Sequence, residues 1–286
     1  MALRARPATE SDLAELVALQ EREDKYWFGA SEHDEAEVRE SIGRANPLAQ
    51  RSRLVHDDGQ LVAAAWWWGP HDAWLMVDEI TDAAAVYDDL LPWFAGSGVT
   101  RLEALDRDNQ RRGALAQHGW EHFLSQFELI RDASPLPAAR WPTGVTTTAL
   151  GEDSETVYRV IYDEAGWAEI PGHGRRDLDE WRSLFVSSVD PQQQVLAWQA
   201  GRLVGAALGK TFSDGVGWVS QLAVSRDQQG RGLGTALLME AFNRRLSAGA
   251  ARLGLGVSAA NKDALRLYLS IGLEIDREWM LHRPTS

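Results

Sequence analysis

Three glycines stand at alternate positions in the C-terminal half of the chain: Gly230, Gly232 and Gly234. An apolar, β-prone run precedes them at 218–224, and an apolar pattern with helical spacing follows at 236–242. Glycine lets the backbone approach a ligand closely, and the free N–H groups and the dipole at a helix start favour an anion. The segment therefore predicts a strand, a glycine-rich turn and a helix start that together hold a phosphate group.

The spacing of this turn excludes two common phosphate sites. A P-loop requires Lys and then Ser or Thr after its last glycine, whereas residues 233–235 read Leu-Gly-Thr. A dinucleotide-binding turn requires Gly-x-Gly-x-x-Gly, and counted from Gly230 the third glycine falls one position early. The remaining pattern is Gln229-x-x-Gly232-x-Gly234. Taken alone, it leaves a plain strand–turn–helix connection as the alternative.

A second motif follows the helix. The apolar run 253–257 predicts a strand, and Asn261 after it is a favourable helix N-cap. Ala264 and Tyr268 follow at helical spacing, and Gly272 closes the helix. Two motifs in this order and at this separation are far more specific than a glycine turn alone.

Together the two motifs resemble those of the GCN5-related N-acetyltransferase (GNAT) family. The first resembles the family's Gln/Arg-x-x-Gly-x-Gly/Ala signature. The second resembles its Asn-x-x-Ala-x-x-x-Tyr-x-x-x-Gly-Phe segment, with Leu273 in place of phenylalanine, and the resemblance covers roughly residues 143–283. It implies acetyl-CoA (coenzyme A) as the cofactor and direct attack of an amine on the thioester. It also implies an α/β (α+β) domain, a mixed and mostly antiparallel sheet flanked by helices.

The same resemblance implies cofactor contacts in three parts of this sequence. The backbone of the strand before the turn would carry the pantetheine arm, and the N–H of Val224 would donate to the thioester carbonyl. The turn and helix start would hold the pyrophosphate, with an arginine adding charge and a threonine a hydroxyl. The residues so predicted are Leu222, Ala223, Val224, Gln229, Gly230, Arg231, Gly232, Leu233, Gly234, Thr235 and Asn261, the last of which can also simply cap its helix.

Tyr268 is the candidate general acid. Acyl transfer from a thioester needs a donor for the developing oxyanion, loss of a proton from an amine of ordinary pKa about 10.4, and a proton for the departing thiolate. A phenol can supply that proton, and the family match favours this role. Periodicity alone favours a core aromatic on an amphipathic helix.

The general base is not apparent from the sequence. Ser220 and Gln221 stand where some relatives carry an ionisable residue, and neither is a useful base. The loop 165–176 corresponds to a part of the family fold that helps to form the acceptor pocket. A histidine there has a suitable ordinary pKa, although such a residue is more often merely exposed, and a water relay is an equal alternative. The candidate acceptor-binding residues are Trp167, Glu169 and His173.

Composition limits the class of protein. The chain has 286 residues and no cysteine, so disulfides, thiolate metal sites and a cysteine nucleophile are excluded. His118 and His122 are four apart, but Gly119 breaks the helix between them, so we expect no metal site. The N-terminus lacks an apolar signal region and no apolar run is long enough for a membrane span. We expect a cytoplasmic protein with no membrane partner.

The charge of the chain bears on its partners. A formal net charge of −13 argues against a nucleic-acid surface. The expected partners are therefore acetyl-CoA and an amine acceptor, and the sequence leaves the oligomeric state open.

The chain repeats one plan in two halves. Three prolines mark a linker near 135–144, which separates a domain at 1–134 from one at 145–286. The segment 105–120 parallels 257–273 with one residue fewer. We therefore predict tandem GNAT domains, which resemble tandem acetyltransferases of the mycothiol synthase type.

The first half lacks the residues that would do the chemistry. Its strand at 74–80 reaches the helix at 83–94 across residues 81–82 alone, with no glycine-rich turn. Leu115 stands at the position of Tyr268, and the acidic side chains near the turn would repel a pyrophosphate. We predict that the N-terminal domain keeps the fold but has lost the cofactor site.

These patterns predict an acetyltransferase whose C-terminal domain acts on a primary amine of a small molecule. One alternative is acetylation of a protein N-terminus or lysine, which an open, acidic acceptor groove would favour. Another is a non-catalytic acyl-CoA-binding sensor, which the missing base supports and Tyr268 opposes.

Overall fold

The computed structural model describes residues 3–78, 83–187 and 189–285. The chain divides into two compact units: unit 1 comprises Met1–Phe123 with Trp279–Ser286, and unit 2 comprises Leu124–Glu278. Within the described ranges, no helix combines the length and the apolar composition needed to cross a membrane. The cytoplasmic location stays a prediction.

The two units differ from the linker-based division at two segments. Residues 124–134, which that division assigns to the first half, lie in unit 2, and residues 279–286 lie in unit 1. The physical reason is the pairing of the strand that ends each half. Residues 126–132 pair with residues 252–258 in unit 2, and residues 279–282 pair with residues 102–105 in unit 1. Linker residues mark where the chain bends, but they carry no signal for which ladder a distant strand will join.

Unit 1 combines an antiparallel sheet with helices. Its strands are β1 (Arg4–Arg6), β2 (Ser52–Asp57), β3 (Gln60–Gly69), β4 (Asp72–Val77) and β5 (Leu102–Leu105), and its helices are α1 (Leu13–Phe28), α2 (Glu35–Gly43), α3 (Leu48–Arg51), α4 (Ala83–Gly96) and α5 (Asn109–Gln117). The first four strands are antiparallel neighbours in chain order. β5 pairs antiparallel with residues 279–282 of the last strand of the chain.

Local sequence accounts for several of these boundaries. Asp34 accepts from the Glu37 N–H at 2.9 Å, and the Glu37 carboxylate accepts from the Asp34 N–H at 3.1 Å, a capping box that fixes the start of α2. Asp58 and Gly59 have φ of 47° and 88°, the two positive values that a type I′ turn between β2 and β3 requires.

Unit 2 carries the predicted motifs. Its strands are the greater part of β6 (Trp120–Asp132), β7 (Val145–Thr148), β8 (Val195–Gln199), β9 (Arg202–Thr211), β10 (Val216–Val224), β11 (Arg252–Ser258) and the first part of β12 (Glu274–Pro284), and its helices are α6 (Ser154–Arg159), α7 (Leu178–Phe185), α8 (Leu233–Ser247) and α9 (Lys262–Ser270). A π-helical turn, Val160–Glu164, continues α6. Six of the strands lie in the order β6-β11-β10-β9-β8-β7.

Among these six strands, as the structure describes them, β10 and β11 pair parallel and the other neighbours pair antiparallel. Helices cover both faces of this sheet. On one face, Leu237 and Phe242 of α8 pack with Leu255 of β11. On the other face, the buried Trp181 of α7 and Ile161 of the π-helical turn pack against β8 and β9. Both faces are therefore closed by apolar contacts, and a ligand must enter where the strands themselves separate.

Candidate active site

The parallel pair in unit 2 opens part of the way along its length. β10 and β11 are paired from Val216↔Arg252 to Val219↔Leu255. Beyond that point β10 stays paired with β9 as far as Val224, while β11 stays paired with β6 as far as Ser258. The edges of 220–224 and 256–258 that face each other thus leave the ladder, and they border a cleft that we call the β10–β11 cleft.

The ladder on the other side of β10 fixes which backbone groups face this cleft. The Ser225 N–H donates to the Val204 carbonyl of β9 at 2.9 Å. Successive N–H groups of a strand point in opposite directions, so the Val224 N–H points away from β9 and into the cleft. The Leu222 N–H has the same orientation, whereas that of Ala223 faces β9. Of the three predicted strand residues, Leu222 and Val224 therefore offer backbone donors to a ligand.

The glycine-rich turn follows directly. Gly230 and Gly232 have φ of 73° and 83°, backbone conformations that residues other than glycine seldom adopt. Gly232 occupies the N-cap of α8, and the first intrahelical bond runs from the Ala236 N–H to the Gly232 carbonyl at 3.1 Å. The N–H groups of residues 233–235 are the orphan donors of this helix start, so a helix of 15 residues directs its positive end at the turn.

The side chains of the turn have different roles. Gln229 donates from Nε2 to the Val224 carbonyl at 3.0 Å, so its amide braces the turn against the end of β10. Arg231 is exposed, with Nη1 3.5 Å from Gln228 Oε1. Leu233 is buried in the core, and Thr235 is half-buried. The donors at the mouth of the turn are therefore mainly backbone groups, with Arg231 as the exposed cation.

The second motif is formed as predicted. Asn261 Oδ1 accepts from the Ala264 N–H at 3.2 Å and so caps α9. Tyr268 is 8% exposed in the core between α8, α9 and β11. Burial raises the pKa of its phenol to about 12. No hydrogen bond of this hydroxyl occurs within the described residues, so the phenol has a proton to donate to a ligand.

The predicted acceptor residues lie in the loop after the π-helical turn. Glu169 forms an ion pair with Arg226, although its side chain remains 73% exposed. The rings of Trp167 and His173 contact each other edge to face at 4.8 Å. Arg226 lies two residues after the end of β10, so its ion pair with Glu169 connects the loop to the end of the strand that borders the cleft.

Gln221 and Trp181 form a polar contact that sequence reasoning did not find. Gln221 is 1% exposed, and its Oε1 accepts from the Trp181 Nε1 at 2.8 Å. Burial raises the pKa of the Tyr162 phenol, and Gln221 acts on that pKa in the opposite direction. Gln221 is thus a buried, structural amide bonded to Trp181, as its type already excluded it as a base. A polar residue between the apolar Val219 and Ala223 was the signal available in the sequence.

Unit 1 has a corresponding strand end with different surroundings. Val77 pairs with Ala63 of β3, and the Asp78 N–H donates to the Val62 carbonyl at 2.8 Å. This matches the pairing of Val224 and the bond of Ser225 in unit 2. The Val77 N–H therefore corresponds to the Val224 N–H. The predicted direct connection through residues 81–82 lies outside the described residues.

A buried ion pair occupies this position in unit 1. Glu23 of α1 accepts from the Val77 N–H at 3.4 Å, and Arg111 of α5 donates to the same carboxylate oxygen at 2.7 Å. The two side chains are 10% and 7% exposed. Arg111 lies three residues after the cap Asp108, as Ala264 does after Asn261. A carboxylate and a guanidinium thus fill the space that would be open to a ligand in unit 2.

A sheet that opens beside its parallel strand pair, with a glycine turn and a helix start at the end of the opening, defines an acyltransferase type of fold. Residues 156–273 match the family described as "Acetyltransferase (GNAT) family". The family predicted from the two motifs is therefore confirmed.

The relatives of the chain are consistent with this assignment. A mycothiol acetyltransferase of Thermomonospora curvata is 34% identical over 142 residues, which are 49% of this chain and 47% of that protein. One from Renibacterium salmoninarum is 26% identical over 218 residues, 71% of this chain and 61% of that protein. The chain thus spans about half of the first relative and about three fifths of the second.

Solved structures confirm the fold class. A GCN5-related N-acetyltransferase from Sphaerobacter thermophilus superposes with a TM-score of 0.81 at 23% identity, over 99% of this chain and 97% of that one. A tandem GNAT protein from the clavulanic acid biosynthesis pathway gives 0.74 at 14% identity, over 98% of both chains. The predicted class, tandem GNAT domains with mostly antiparallel sheets flanked by helices, is correct.

Proposed function

We propose that unit 2 binds acetyl-CoA in the β10–β11 cleft and transfers its acetyl group to a primary amine of a small molecule. The observation that carries this proposal is the junction of the cleft with the helix start. Two backbone N–H groups of β10 face the cleft, and the orphan N–H groups of α8 lie at its end. A ligand with an anionic end and a long amide-containing arm matches both features.

In this proposal each part of the site contacts a different part of acetyl-CoA. The N–H groups of residues 233–235 and the exposed Arg231 hold the pyrophosphate. The Leu222 N–H bonds the pantetheine arm, and the Val224 N–H donates to the thioester carbonyl, where it stabilises the developing oxyanion. Tyr268 donates to the departing sulfur. Burial disfavours the thiolate as well as the phenolate, so it raises the pKa values of both the thiol and the phenol. The proton can therefore still pass from the phenol to the sulfur.

The amine must lose its proton without an evident protein base. Gln221 is an amide bonded to Trp181, and the Glu169 side chain is paired with Arg226. We infer that water removes this proton, and His173 of the acceptor loop is the alternative. A small acceptor is supported by the relatives, which are named mycothiol acetyltransferases.

We also propose one cofactor site per chain. In unit 1 the carboxylate of Glu23 accepts from the N–H that corresponds to the Val224 N–H. An anion at that point repels a pyrophosphate and takes the donor that a thioester carbonyl would need. Unit 1 would then keep the fold without the cofactor.

Release of CoA by the full chain tests the function. The chain is incubated with acetyl-CoA and a panel of small primary amines, including amino sugars, and with peptides that carry free N-termini and lysines. Release above hydrolysis with a small amine is the expected result. Release with peptides alone would instead indicate a protein acceptor, and cofactor binding without release in any mixture would indicate a sensor.

Two matched glycine variants provide the control. Gly232→Val places a side chain at the pyrophosphate position, and Gly249→Val introduces the same kind of strain beyond the other end of α8. The φ values are 83° and 97°, and neither added Cβ would meet a protein atom within 4 Å. Only Gly232→Val should abolish CoA release.

A further inference from the structure

Arg245 of α8 is a buried cation that has no carboxylate partner in the part of the chain that the structure describes. Its side chain is fully buried, and its bonds within the described residues go to backbone carbonyls: Trp218 at 3.2 Å, Gln193 at 3.3 Å and Ala241 at 3.0 Å. Its Nη2 has no hydrogen-bond partner among the described residues. Burial lowers its pKa to about 10, so it remains charged at neutral pH. Burying a charge in this way is costly, and the position therefore requires an explanation.

The carbonyl that Arg245 binds is turned out of the sheet. A Cβ added to Gly209 of β9 would overlap the Trp218 carbonyl oxygen, and it would lie 2.8 Å from Arg245 Nη2. A Cβ points out of the plane of its sheet, so the Trp218 carbonyl points out of that plane too. Gly217 makes room for the arginine itself, since its added Cβ would lie 2.9 Å from Arg245 Cβ.

The turned carbonyl lies where β10 becomes irregular. The register of β10 on β9 shifts between Val219 and Gln221, which leaves Ser220 as an extra residue. Val219 is also the last residue of β10 that pairs with β11. A bulge bends its strand and increases the local twist, so the irregularity that frees the Trp218 carbonyl is also where the cleft opens.

We propose that Arg245 is a positioning residue: by binding the Trp218 carbonyl it holds the bulge that opens the β10–β11 cleft for the cofactor. The expected effect on acetyl-CoA binding rests on the proposed function, whereas the expected effect on the geometry of β10 does not. Arg245 itself touches no reacting atom.

The neighbouring arginine supplies a matched control. Arg244 donates to the carbonyls of Gln192 and Gln194 at 3.1 and 2.6 Å and pairs with Glu240, and none of these bonds reaches β10. Arg244→Met and Arg245→Met therefore remove the same functional group from adjacent positions. Both variants lose bonds to loop carbonyls, and only the second loses the bond to the strand.

The experiment measures acetyl-CoA affinity by calorimetry and amide hydrogen exchange of residues 220–224 in the free chain. Arg245→Met should weaken binding by about 10-fold or more, since one bond from a charged donor is lost. Exchange at 220–224 should slow, because β10 can then pair with β11 beyond Val219. Arg244→Met should leave both quantities unchanged.

A conservative variant covers the case in which Arg245→Met does not fold. Arg245→Lys keeps the charge and one donor for the Trp218 carbonyl, so it should lie between wild type and Arg245→Met in both measurements. Gly209→Ala displaces the Trp218 carbonyl with a methyl group while Arg245 stays in place, so it should also slow exchange at 220–224. Wild-type exchange in every folded variant of either residue would overturn the proposal. Altered exchange in a chain that never binds acetyl-CoA would uphold the positioning role and refute the proposed function instead.

Discussion

Replacing Tyr268 with phenylalanine separates chemistry from packing at the candidate active site. The side chain is 8% exposed and its hydroxyl has no hydrogen bond within the described residues. Removing that oxygen therefore leaves no buried partner unsatisfied. The free energy of unfolding should change by less than about 1 kcal/mol, because no buried donor or acceptor loses its hydrogen-bond partner. Acetyl-CoA affinity should also stay close to that of wild type.

The rate of the chemical step should fall instead. Loss of a general acid costs about 10²–10⁴-fold. We expect the lower end, about 10²-fold, because a phenol whose pKa burial raises to about 12 is a weak acid. The loss should appear in kcat more than in KM, since the proton is shared mainly in the transition state. The same high pKa predicts no alkaline loss of kcat from Tyr268 at moderately basic pH.

Tyr158→Phe is the matched control for this experiment. The Tyr158 hydroxyl donates to the Arg176 carbonyl at 2.6 Å and accepts from Arg175 Nε at 3.1 Å. Its removal should destabilise the fold by about 1–3 kcal/mol while the chemical step proceeds. The assays are urea unfolding and CoA release under conditions where chemistry limits the rate. An unchanged kcat in Tyr268→Phe would refute the acid role and leave a packing residue.

Three further predictions concern both units. Arg111→Met strands the buried Glu23 carboxylate and should destabilise unit 1 by about 3–5 kcal/mol, measured by urea unfolding, without adding a second acetyl-CoA site. Burial lowers the His33 pKa, but its hydrogen bond and attraction to Asp24 outweigh burial and leave it raised. The stability it contributes is therefore present at low pH and lost as pH rises through the raised value, and His33→Gln should flatten this dependence in urea titrations. Gly234→Ala should leave acetyl-CoA affinity and melting temperature nearly unchanged, since the added Cβ would lie 3.7 Å from its nearest neighbours.

The parts of the site that depend on local sequence could be predicted. Alternating glycines before an apolar helical pattern located the turn and the start of α8, and Asn261 was correctly assigned as the cap of α9. These features are determined by backbone conformation and by hydrogen bonds within a few residues. The same holds for the turn at Asp58 and Gly59.

The parts that depend on distant contacts could not be predicted. β6 pairs with β11 across more than a hundred residues of sequence, and nothing in either strand specifies the other. Gln229 turns its amide onto the Val224 carbonyl, which a phosphate motif does not reveal. Arg245 offered one signal, since it lies at helical spacing from the buried Ala241 and Phe242 and so on the core face of α8.

Calorimetric titration of the full chain with acetyl-CoA tests the central claim most directly. We predict one site per chain, lost in Gly232→Val and retained in Gly249→Val, which carries comparable backbone strain away from the turn. A stoichiometry near two would contradict the exclusion of the cofactor from unit 1 by Glu23 and Arg111. Wild-type affinity in Gly232→Val would contradict the assignment of the glycine-rich turn as the pyrophosphate site.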